Sequence, residues 1–579
     1  GAVTWVDGST GQTWDGTNRV SEENSISGRQ SNSGLGTVVN DPVNQTFLVQ
    51  FANEGSGRVT VGVPTDLTFA SFPETSVTFS STFLQRTLNR GTAVVLQANN
   101  DITITLDNPL IINNPSGTGG DLTFQAGRSI FINRDITTDN GDLTLIANET
   151  LVNRVVDAQR DMGDADIVLA NGITLDTGEG DINITLNTGE GLTHNQSGNI
   201  TLDGTIKTNH LTIEHKGLSG GVIIEETANF ESIDNLTISS RTLTLPETIE
   251  LNLESGLQLN ITEAVELAGQ ITTTNGSLEL NAPITLTGDT VFNTGGAGTI
   301  LFNNTLNGNH NLELSAGTNS ITFNNPIGSI SPLDNLTING GLNLATTINL
   351  TGGFEQNGAV TLTGDSRLNT SAGDIRLPNR INGSNGTESL NLIAETGTVQ
   401  LPETLGSTIP IGNLTIFSDS LDIPTTARIN LTGNFQLNGA NPLNFAGEVT
   451  TANGSIEFNA PVILKGDTFL TTTGGDIQFN NRLNGNDGSA NLNLTAGMGN
   501  IWFTDSVGET NPLGNLTIFN ANNLTANDLI RAGSLKHTTG TGTINLQDVQ
   551  TSGGAVELTT PNPLTTGNIT TAGGDIRLT

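Results

Sequence analysis

The phrase GSLELN at residues 276–281 recurs along the chain at a spacing that predicts the fold. It returns as GTILFN at residues 298–303 and as NSITFN at residues 319–324. The first apolar residue of each phrase is therefore Leu278, Ile300 or Ile321, at intervals of 22 and 21 residues. The same phrase appears later as GSIEFN, GDIQFN and GNIWFT, which start at Gly454, Gly475 and Gly499. A repeat of this length is typical of one structural unit that stacks on its copies.

Apolar and polar residues alternate within each phrase. Leu278 and Leu280 point to one side, whereas Ser277 and Glu279 point to the other, which predicts a β-strand with one buried face. The intervening segments are rich in Gly, Asn, Asp, Thr and Pro, which favour turns, and no segment keeps a helical period. Strands and turns that repeat about every 21 residues predict an all-β fold, a right-handed parallel β-helix.

A longer repeat is superimposed on the short one. The phrase NLTI begins at residues 235, 335, 413 and 515, at intervals of 100, 78 and 102 residues. The middle interval lacks the phrase NGSLELNAPI of residues 275–284, which the next interval has as NGSIEFNAPV. The missing segment of 24 residues has the length of one coil, and loss of a whole coil leaves the other strands in register.

Equivalent residues of successive coils are expected to stack about 4.8 Å apart along the axis. Phenylalanines at equivalent inward positions should form internal ladders, and asparagines that close the strands should bond along the axis. These positions are Phe302 and Phe323, then Phe458, Phe479 and Phe503, and the asparagines Asn281, Asn303 and Asn324.

The periodic pattern predicts two regions. Residues 96–579 would form roughly 22 coils. Residues 1–95 are irregular, include Trp5 and Trp14, and predict a β-rich cap or assembly segment with strands at 46–51, 58–63 and 76–79. The chain stops within the pattern, on GDIRLT, which motivates the hypothesis that terminal coils pair end to end into a homopolymer.

Composition excludes several classes of protein. The 579 residues include 57 acidic and 21 basic side chains, a formal net charge of −36, so a nucleic-acid partner is not expected. Cysteine is absent, which excludes disulfides and thiolate metal sites. No apolar stretch approaches the length of a membrane-spanning helix, and no leader precedes the pattern, so a removed or missing signal peptide is expected.

Three stretches resemble a known family. TAVVLQANNDITI from Thr92, GGDLTFQAGRSIFIN from Gly119 and NGDLTLIANET from Asn140 are similar to the repeat region of filamentous-haemagglutinin-like exoproteins of Gram-negative bacteria and cyanobacteria. The resemblance implies export to the cell surface, a right-handed β-helix, and roles in adhesion, matrix or filaments. It brings no catalytic residues with it.

The densest acidic group suggests the one candidate metal site. Its members, Asp157, Asp161, Asp164 and Asp166, lie between two predicted strands, 143–146 and 167–169. Ca²⁺ prefers several carboxylate oxygens that converge, so two interpretations stand: a solvated excursion loop, or a Ca²⁺ site. No other cofactor is expected.

Two further motifs have plainer interpretations. Residues 217–221 match G-x-S-x-G, but the β-branched run that follows predicts a strand instead of the helix of a nucleophile elbow. His210 and His215 flank Glu214, but on a strand His215 takes the opposite face, which splits any zinc ligand set. The many Asn-x-Thr sequences follow from Asn-rich turns before Thr-rich strands.

The sequence therefore predicts an extracellular structural protein without catalytic activity: a rod-like surface adhesin, matrix component or fibre subunit. Outward acids such as Glu279 and Glu457 recur with the repeat, which is typical of surface solvation, and alternation predicts a single outward aromatic, Trp502. The alternatives are a carbohydrate-active β-helix enzyme, which needs two carboxylates on one surface, and a glycan-binding module. The expected partners are a cell-surface glycan, the matrix or further copies of the chain.

Overall fold

We describe a computed structural model of the chain. It places two compact units, which we call the N-terminal unit and the C-terminal unit. The first comprises residues 1–266 and 273–283, and the second comprises residues 267–272 and 284–579. The described residues are 2–4, 26–27, 32–41, 46–53, 58–62, 69, 81–89, 91–105, 108–115 and 117–579.

The described residues before the first parallel strand form short antiparallel sheets and one helix. Strands Leu35–Asp41, Thr46–Phe51 and Arg58–Gly62 pair in order, and Ala2–Val3 pairs with Ile26–Ser27. The strand at 46–51 is confirmed, and the next is present as Arg58–Gly62, with residue 63 outside the described residues. The predicted strand 76–79, together with Trp5 and Trp14, lies outside the described residues.

One α-helix, Ser81–Leu88, interrupts the expectation of strands and turns alone. Leu84 and Leu88 are buried, one helical turn apart, and hold it against the parallel strands that follow. A helix of eight residues is too short to show a sustained period in the sequence, which is why the alternation pattern does not predict it.

Parallel sheets build the rest of the N-terminal unit, and each turn of the chain adds one strand to each sheet. Strand Ile249–Leu253 follows them. The first sheet has strands Val94–Ala98, Leu122–Ala126, Leu143–Ala147, Ile182–Leu186, His210–His215, Asn235–Ser240, Gly256–Ile261 and Leu278–Leu280. The second has Ile102–Ile104, Ile130–Ile132, Ala165–Leu169, Ser197–Leu202, Val222–Ile224 and Leu243–Thr244, and the third has Leu110–Ile111, Ile136–Thr137, Thr174–Asp176, Thr205–Lys207 and Asn229–Glu231.

The C-terminal unit continues with the same construction, which we describe as sheets A, B and C. Together the two units contain about 22 solenoid turns. The strands, in chain order after Val265–Thr273, are Ile284–Asn293, Ile300–Phe302, Leu306–Asn307, Leu312–Phe323, Leu336–Leu344, Thr347–Leu350, Phe354–Gln356, Val360–Leu362, Ser366–Thr370, Ile375–Arg376, Ile381–Gly383, Leu390–Gln400, Thr404–Leu405, Leu414–Asp422, Arg428–Leu431, Phe435–Asn438, Leu443–Thr451, Ile456–Phe458, Val462–Thr472, Ile477–Phe479, Leu483–Gly485, Leu492–Thr495, Ile501–Phe503, Leu513–Ala521, Leu524–Ala526, Ile530–Gly540, Ile544–Leu546, Val549–Thr551, Val556–Leu558, Leu564–Thr565, Ile569–Thr571 and Ile576–Leu578.

Each sheet is defined by one column of inward residues that pair in register, and nearly all of these side chains are buried. Sheet A contains Leu306, Ile327, Ile348, Leu368, Leu392, Ile416, Leu437, Phe458, Phe479 and Phe503. Sheet B contains Ile300, Ile321, Leu342, Val360, Ile381, Leu405, Ile429, Val449, Leu470, Leu494 and Ile518. Sheet C contains Leu312, Leu336, Phe354, Ile375, Val399 and Leu421, then Leu443, Val462, Leu483, Val507 and Ile530.

The long repeat is not a whole number of coils. The NLTI phrase at residue 335 places Leu336 in sheet C, the phrase at 413 places Leu414 in sheet A, and the phrase at 515 places Leu516 in sheet B. Each repeat therefore begins on a different sheet from the last, because it is one strand short of a whole number of coils. In sheet C, three further strands follow the strand of Leu336 before the next NLTI phrase. In sheet A, four further strands follow the strand of Leu414 before the next one, which confirms that the middle repeat lacks one coil.

The aromatic ladders are confirmed. The ring centroids of Phe302 and Phe323 are 5.2 Å apart. Phe479 stacks on Phe458 at 4.7 Å and on Phe503 at 5.3 Å, with interplanar angles of 4° and 13°. The first ladder lies in sheet B and the second in sheet A, because the repeats that carry them are rotated relative to each other.

Asparagine ladders run beside these rings. The Nδ2 of Asn324 donates to the Oδ1 of Asn303 at 2.6 Å, and the Nδ2 of Asn480 donates to the Oδ1 of Asn459 at 2.8 Å. In both pairs the donor belongs to the later coil. The amides therefore satisfy one another along the axis, as predicted for strand-closing asparagines.

Candidate functional site

The four aspartates lie in or directly after an excursion between strands Leu143–Ala147 and Ala165–Leu169. Two short 3-10 turns, Leu151–Asn153 and Asp157–Gln159, shape this excursion, which we call the acidic loop (residues 150–164). Asp161 and Asp164 are exposed in the loop, and Asp166 belongs to the following strand. The predicted loop between two strands is present at this position.

Three of the four aspartate carboxylates, those of Asp157, Asp161 and Asp166, accept hydrogen bonds from separate partners. The hydrogen bonds from the backbone and hydroxyl of Thr193 lower the pKa of Asp157. Among the described residues, no group of three or more His, Asp or Glu side chains is placed to hold a metal ion. The carboxylate of Asp157 accepts the Thr193 N–H at 2.6 Å, that of Asp161 accepts the Asn100 Nδ2 at 2.6 Å, and that of Asp166 accepts the Asn199 N–H at 2.7 Å.

Two arginines supply positive charge to the acidic loop. Arg160 is only 2% exposed, and its guanidinium donates to the carbonyls of Asp161 and Gly163. Its Nε has no hydrogen-bond partner among the described residues, and burial lowers its pKa. Arg128 pairs with both carboxylate oxygens of Asp101, at 2.8 and 2.6 Å, and this pairing raises the pKa of Arg128. The arrangement fits a loop that is held by arginines.

Replacing Arg160 with Met should therefore loosen the acidic loop. The substitution keeps much of the side-chain volume but leaves the carbonyls of Asp161 and Gly163 without their donor, at a cost of about 3 kcal/mol of local stability. Hydrogen–deuterium exchange of residues 150–164 measures this directly. Arg154→Met, at an exposed position of the same loop, is the matched control, and equal exchange in both variants would contradict the role of Arg160.

The acidic loop also packs against the N-terminal region. Phe69, Val155 and Leu192 form a buried cluster. The Nδ2 of Asn99 donates to the Phe69 carbonyl and, at 2.7 Å, to the Oε1 of Gln159. The acidic loop thus links residue 69 to the first coils. The segment that was predicted as a candidate metal site therefore has a structural role.

The histidine group and the G-x-S-x-G match have the structures that their plainer interpretations predict. His210 pairs with Asp181 at 3.1 Å on the outer face, whereas His215 is buried and its Nε2 lies 2.9 Å from the Gly198 carbonyl oxygen. Ser219 donates to the Ser197 carbonyl at 2.6 Å, and strand Val222–Ile224 follows. These contacts give neither a zinc ligand set nor a serine–histidine pair.

Asparagines of the NLTI phrases are structural. The Oδ1 of Asn335 accepts the Gly353 N–H at 2.7 Å, and its Nδ2 donates to the Oδ1 of Asn311 at 2.8 Å. Asn413 makes the equivalent pair of bonds, with the Asn434 N–H and the Ser389 hydroxyl.

Three equivalent loops leave the C-terminal unit, and alternation did not reveal them. We call residues 328–332, 406–410 and 508–512 the first, second and third lateral loops. Each begins at a glycine with positive φ and ends at a proline, and each interrupts a strand whose neighbour in the next coil is continuous. The first interrupts sheet A, the second sheet B and the third sheet C. The recurrent Gly-x-x-x-Pro before NLTI is the signal that could have identified them.

The lateral loops share one set of hydrogen bonds. In each, an Asn of the preceding coil accepts a loop N–H, at 3.0 Å in all three cases, and the following Gly donates to a loop carbonyl at 3.0 Å. The equivalent Asn–Gly pairs are Asn307–Gly308, Asn382–Gly383 and Asn484–Gly485. The same element is therefore displayed from three different sheets.

The turn beneath the second lateral loop closes on a buried carboxylate. Glu388 is 3% exposed and accepts the backbone N–H groups of Asn385, at 2.8 Å, and Gly386, at 3.0 Å, and the Ser384 hydroxyl. Burial alone would raise its pKa, but these hydrogen bonds outweigh it and lower the pKa to about 2. The carboxylate acts as an internal anion for the backbone donors of residues 384–387.

Acidification should weaken this turn specifically. Because the folded pKa of Glu388 lies below its ordinary value of 4.5, the stabilisation is present above about pH 4.5 and is lost as the pH falls toward 2. The stabilisation is worth about 3 kcal/mol. Exchange of the 384–387 amides should therefore accelerate, beyond the intrinsic pH effect, between pH 5 and pH 2.5 in the native chain. Glu388→Gln should exchange rapidly at both values, and a native-like slow turn at pH 5 would contradict this.

Two shallow grooves lie on the C-terminal unit. The smaller, of about 180 Å³, combines two acids with an arginine; the larger, of about 460 Å³, adjoins the third lateral loop. In the smaller groove Asp374 accepts the Thr398 N–H at 2.9 Å and the Arg376 Nη2 at 3.0 Å, and the backbone bond lowers its pKa. A general acid for glycoside hydrolysis needs a raised pKa. The smaller groove is lined by Asp374, Arg376, Thr398, Gln400 and Asp422.

Outward aromatics are more numerous than predicted. Trp502 is on the outer side of its strand, as predicted, but Phe417, Phe469 and Phe519 are also 43%, 45% and 49% exposed. The prediction of a single outward aromatic is therefore wrong. Phe519 follows the inward Ile518 in strict alternation, as Phe417 follows the inward Ile416 in the previous repeat, so alternation places both rings outward.

Comparison with known proteins adds no relative: neither the scan against family models nor the search of curated proteins finds a match. The helices in the described part of the chain lack the length and apolar character needed to cross a membrane.

Proposed function

We propose that this chain is an extracellular structural protein, a rod-like surface adhesin, matrix component or fibre subunit without catalytic activity. The observation that carries the proposal is the display of three equivalent lateral loops from sheets A, B and C. A surface that repeats its features in several directions suits multivalent attachment, in which many weak contacts add to a strong one. A catalytic site would instead be a single departure from the repeat.

The pKa directions support the same proposal. Among the described residues, every carboxyl group whose pKa is shifted has a lowered pKa, mainly because backbone or side-chain donors bond to the carboxylate. The pKa of Glu388 is lowered to about 2. These carboxylates stabilise turns and coil contacts. The resemblance to filamentous-haemagglutinin-like exoproteins supports export and a surface location, and the acidic charge is compatible with a solvated extracellular surface.

Electron microscopy and an activity screen test the proposal together. The purified chain should appear as elongated particles, with filaments at high concentration if terminal coils pair, and it should release no reducing sugar from a panel of polysaccharides. Compact round particles would contradict a rod. Light scattering at rising concentration tests whether the chain forms a homopolymer, and the comparison with and without Ca²⁺ tests whether Ca²⁺ at the acidic loop affects assembly. Monomers under all conditions would exclude end-to-end assembly.

A carbohydrate-active enzyme is the second candidate, favoured by one observation. The smaller groove brings two acids and an arginine, Asp374, Asp422 and Arg376, together on sheet C. If sugar release is detected, Asp374→Asn and Asp422→Asn should each abolish it. Activity that survives both substitutions would place catalysis elsewhere.

A further inference from the structure

One face of sheet B differs from the rest of the acidic surface. Phe469, Asn493 and Thr517 are outward residues that pair in register across three successive coils. Thr471 and Thr495 stand beside them, and Phe519 follows Thr517 at the register shift. We call these six residues the phenylalanine face. None of them carries a charge, although the chain as a whole carries a formal charge of −36.

Charged pairs frame the phenylalanine face along the axis. Glu448 precedes Phe469 in the column and lies 3.8 Å from Arg428. Lys536 follows Thr517 and lies 3.3 Å from Glu557. The ends of the face are therefore neutralised by their own ion pairs, and a ligand of either sign gains little there compared with a neutral one.

The two phenylalanines are placed as separate platforms. They lie two coils apart, which is about 10 Å along the axis. Nearly half of each side chain is exposed, so that each ring offers part of its surface to solvent. The register shift at this point leaves two successive side chains, Phe519 and Asn520, between the buried Ile518 and Ala521, and bulges of this kind commonly re-aim a side chain toward a functional surface.

We infer that the phenylalanine face binds an uncharged polysaccharide that runs along the axis. The apolar C–H faces of two sugar rings would pack on Phe469 and Phe519, and the hydroxyls between them would bond to the amide and hydroxyl groups of Asn493 and Thr495. Sites for small polar ligands combine aromatic surface with a few hydrogen-bonding groups in this way. The negative charge of the chain disfavours an anionic polymer. A cationic polymer would find no carboxylate on the phenylalanine face.

The inference rests on the proposed function, because a surface or matrix protein needs a partner and this face specifies its chemistry. It does not depend on the smaller groove, which lies on sheet C. If the face fails, elongated particles without activity would still support the structural role. If the rod itself fails, the face can still be tested by binding.

Affinity electrophoresis of the full chain tests the inference. The gels contain hydroxyethylcellulose, galactomannan or dextran as neutral polymers, and alginate as the anionic one. The native chain should be retarded by at least one neutral polymer and not by alginate. Retardation by none of the neutral polymers, or a stronger effect of alginate, would overturn the inference.

Variants assign the binding to this face. Phe469→Ala combined with Phe519→Ser should weaken retardation at least tenfold in apparent affinity. Phe417→Ser is the matched control. Phe417 occupies the position of Phe519 in the preceding repeat and is similarly exposed, but it lies on sheet A. An equal loss in the control, or no loss in the double variant, would overturn the assignment. Unchanged circular dichroism and melting temperature establish that the exposed substitutions leave the coils folded.

Discussion

Deleting residues 454–474 is expected to yield a folded chain whose melting temperature lies within a few degrees of the native value. These 21 residues are one coil, and Ile456, Val462 and Leu470 are its inward residues in sheets A, C and B. After deletion, the strands on either side come into the same register that they now make with the missing coil. The middle repeat, which lacks this coil, is the natural precedent.

Deleting only residues 454–463 should instead destroy cooperative folding of the coils around the cut. The remaining half coil cannot complete three sheets, so inward and outward residues exchange places or lose their partners. Circular dichroism and thermal unfolding compare the two deletions. If both variants fold equally well, or both fail, the coil is not the unit of this structure.

Phe479→Ala should produce the largest effect of a single substitution. The Phe479 ring is 1% exposed and stacks between Phe458 and Phe503. Its removal leaves a cavity in the column and breaks two ring contacts, at a cost of about 4 kcal/mol. In a solenoid each coil contacts only its neighbours, so the loss should be local.

Hydrogen–deuterium exchange resolved by segment measures this loss. Exchange should rise in strands Ile456–Phe458, Ile477–Phe479 and Ile501–Phe503 and stay native in distant coils. Phe417→Ala, which removes an exposed ring, should cost less than about 1 kcal/mol. A uniform rise along the whole chain would contradict stability that is built coil by coil.

Local periodicity accounts for the parts of the fold that were predicted. Leu278 and Leu280 lie on the buried side of a strand because each phrase alternates, and Phe479 stacks on Phe458 because equal positions in equal coils coincide. The position of Asp157, Asp161 and Asp164 in a loop followed for the same reason, because regular strands lie on both sides; Asp166, which was predicted to lie in the same loop, belongs to the strand that follows. The family resemblance, secretion and the absence of catalysis remain predictions.

Hydrogen bonds within single loops and turns account for much of what was not predicted. Arg160 lies in the middle of the acidic group in sequence, but only folding shows that its guanidinium is buried under the loop. Glu388 has the pattern of an ordinary surface acid, yet the backbone of residues 384–387 turns four donors toward it. Alternation assigns a side chain to a face of a strand and cannot assign its hydrogen-bond partners in a loop or turn.

The amino-acid sequence by itself determined the coil, its inward ladder and the loss of one coil from the middle repeat, because period and alternation are properties of neighbouring residues. Only the tertiary structure decided that each long repeat begins on a new sheet, so that the lateral loops leave sheets A, B and C in turn. It also decided that Phe519 lies on the same face as Phe469, because their strands stack in one sheet two coils apart. The physical reason is that the angle between repeats depends on how many residues each coil spends in turns and excursions, and that number is set by packing between coils.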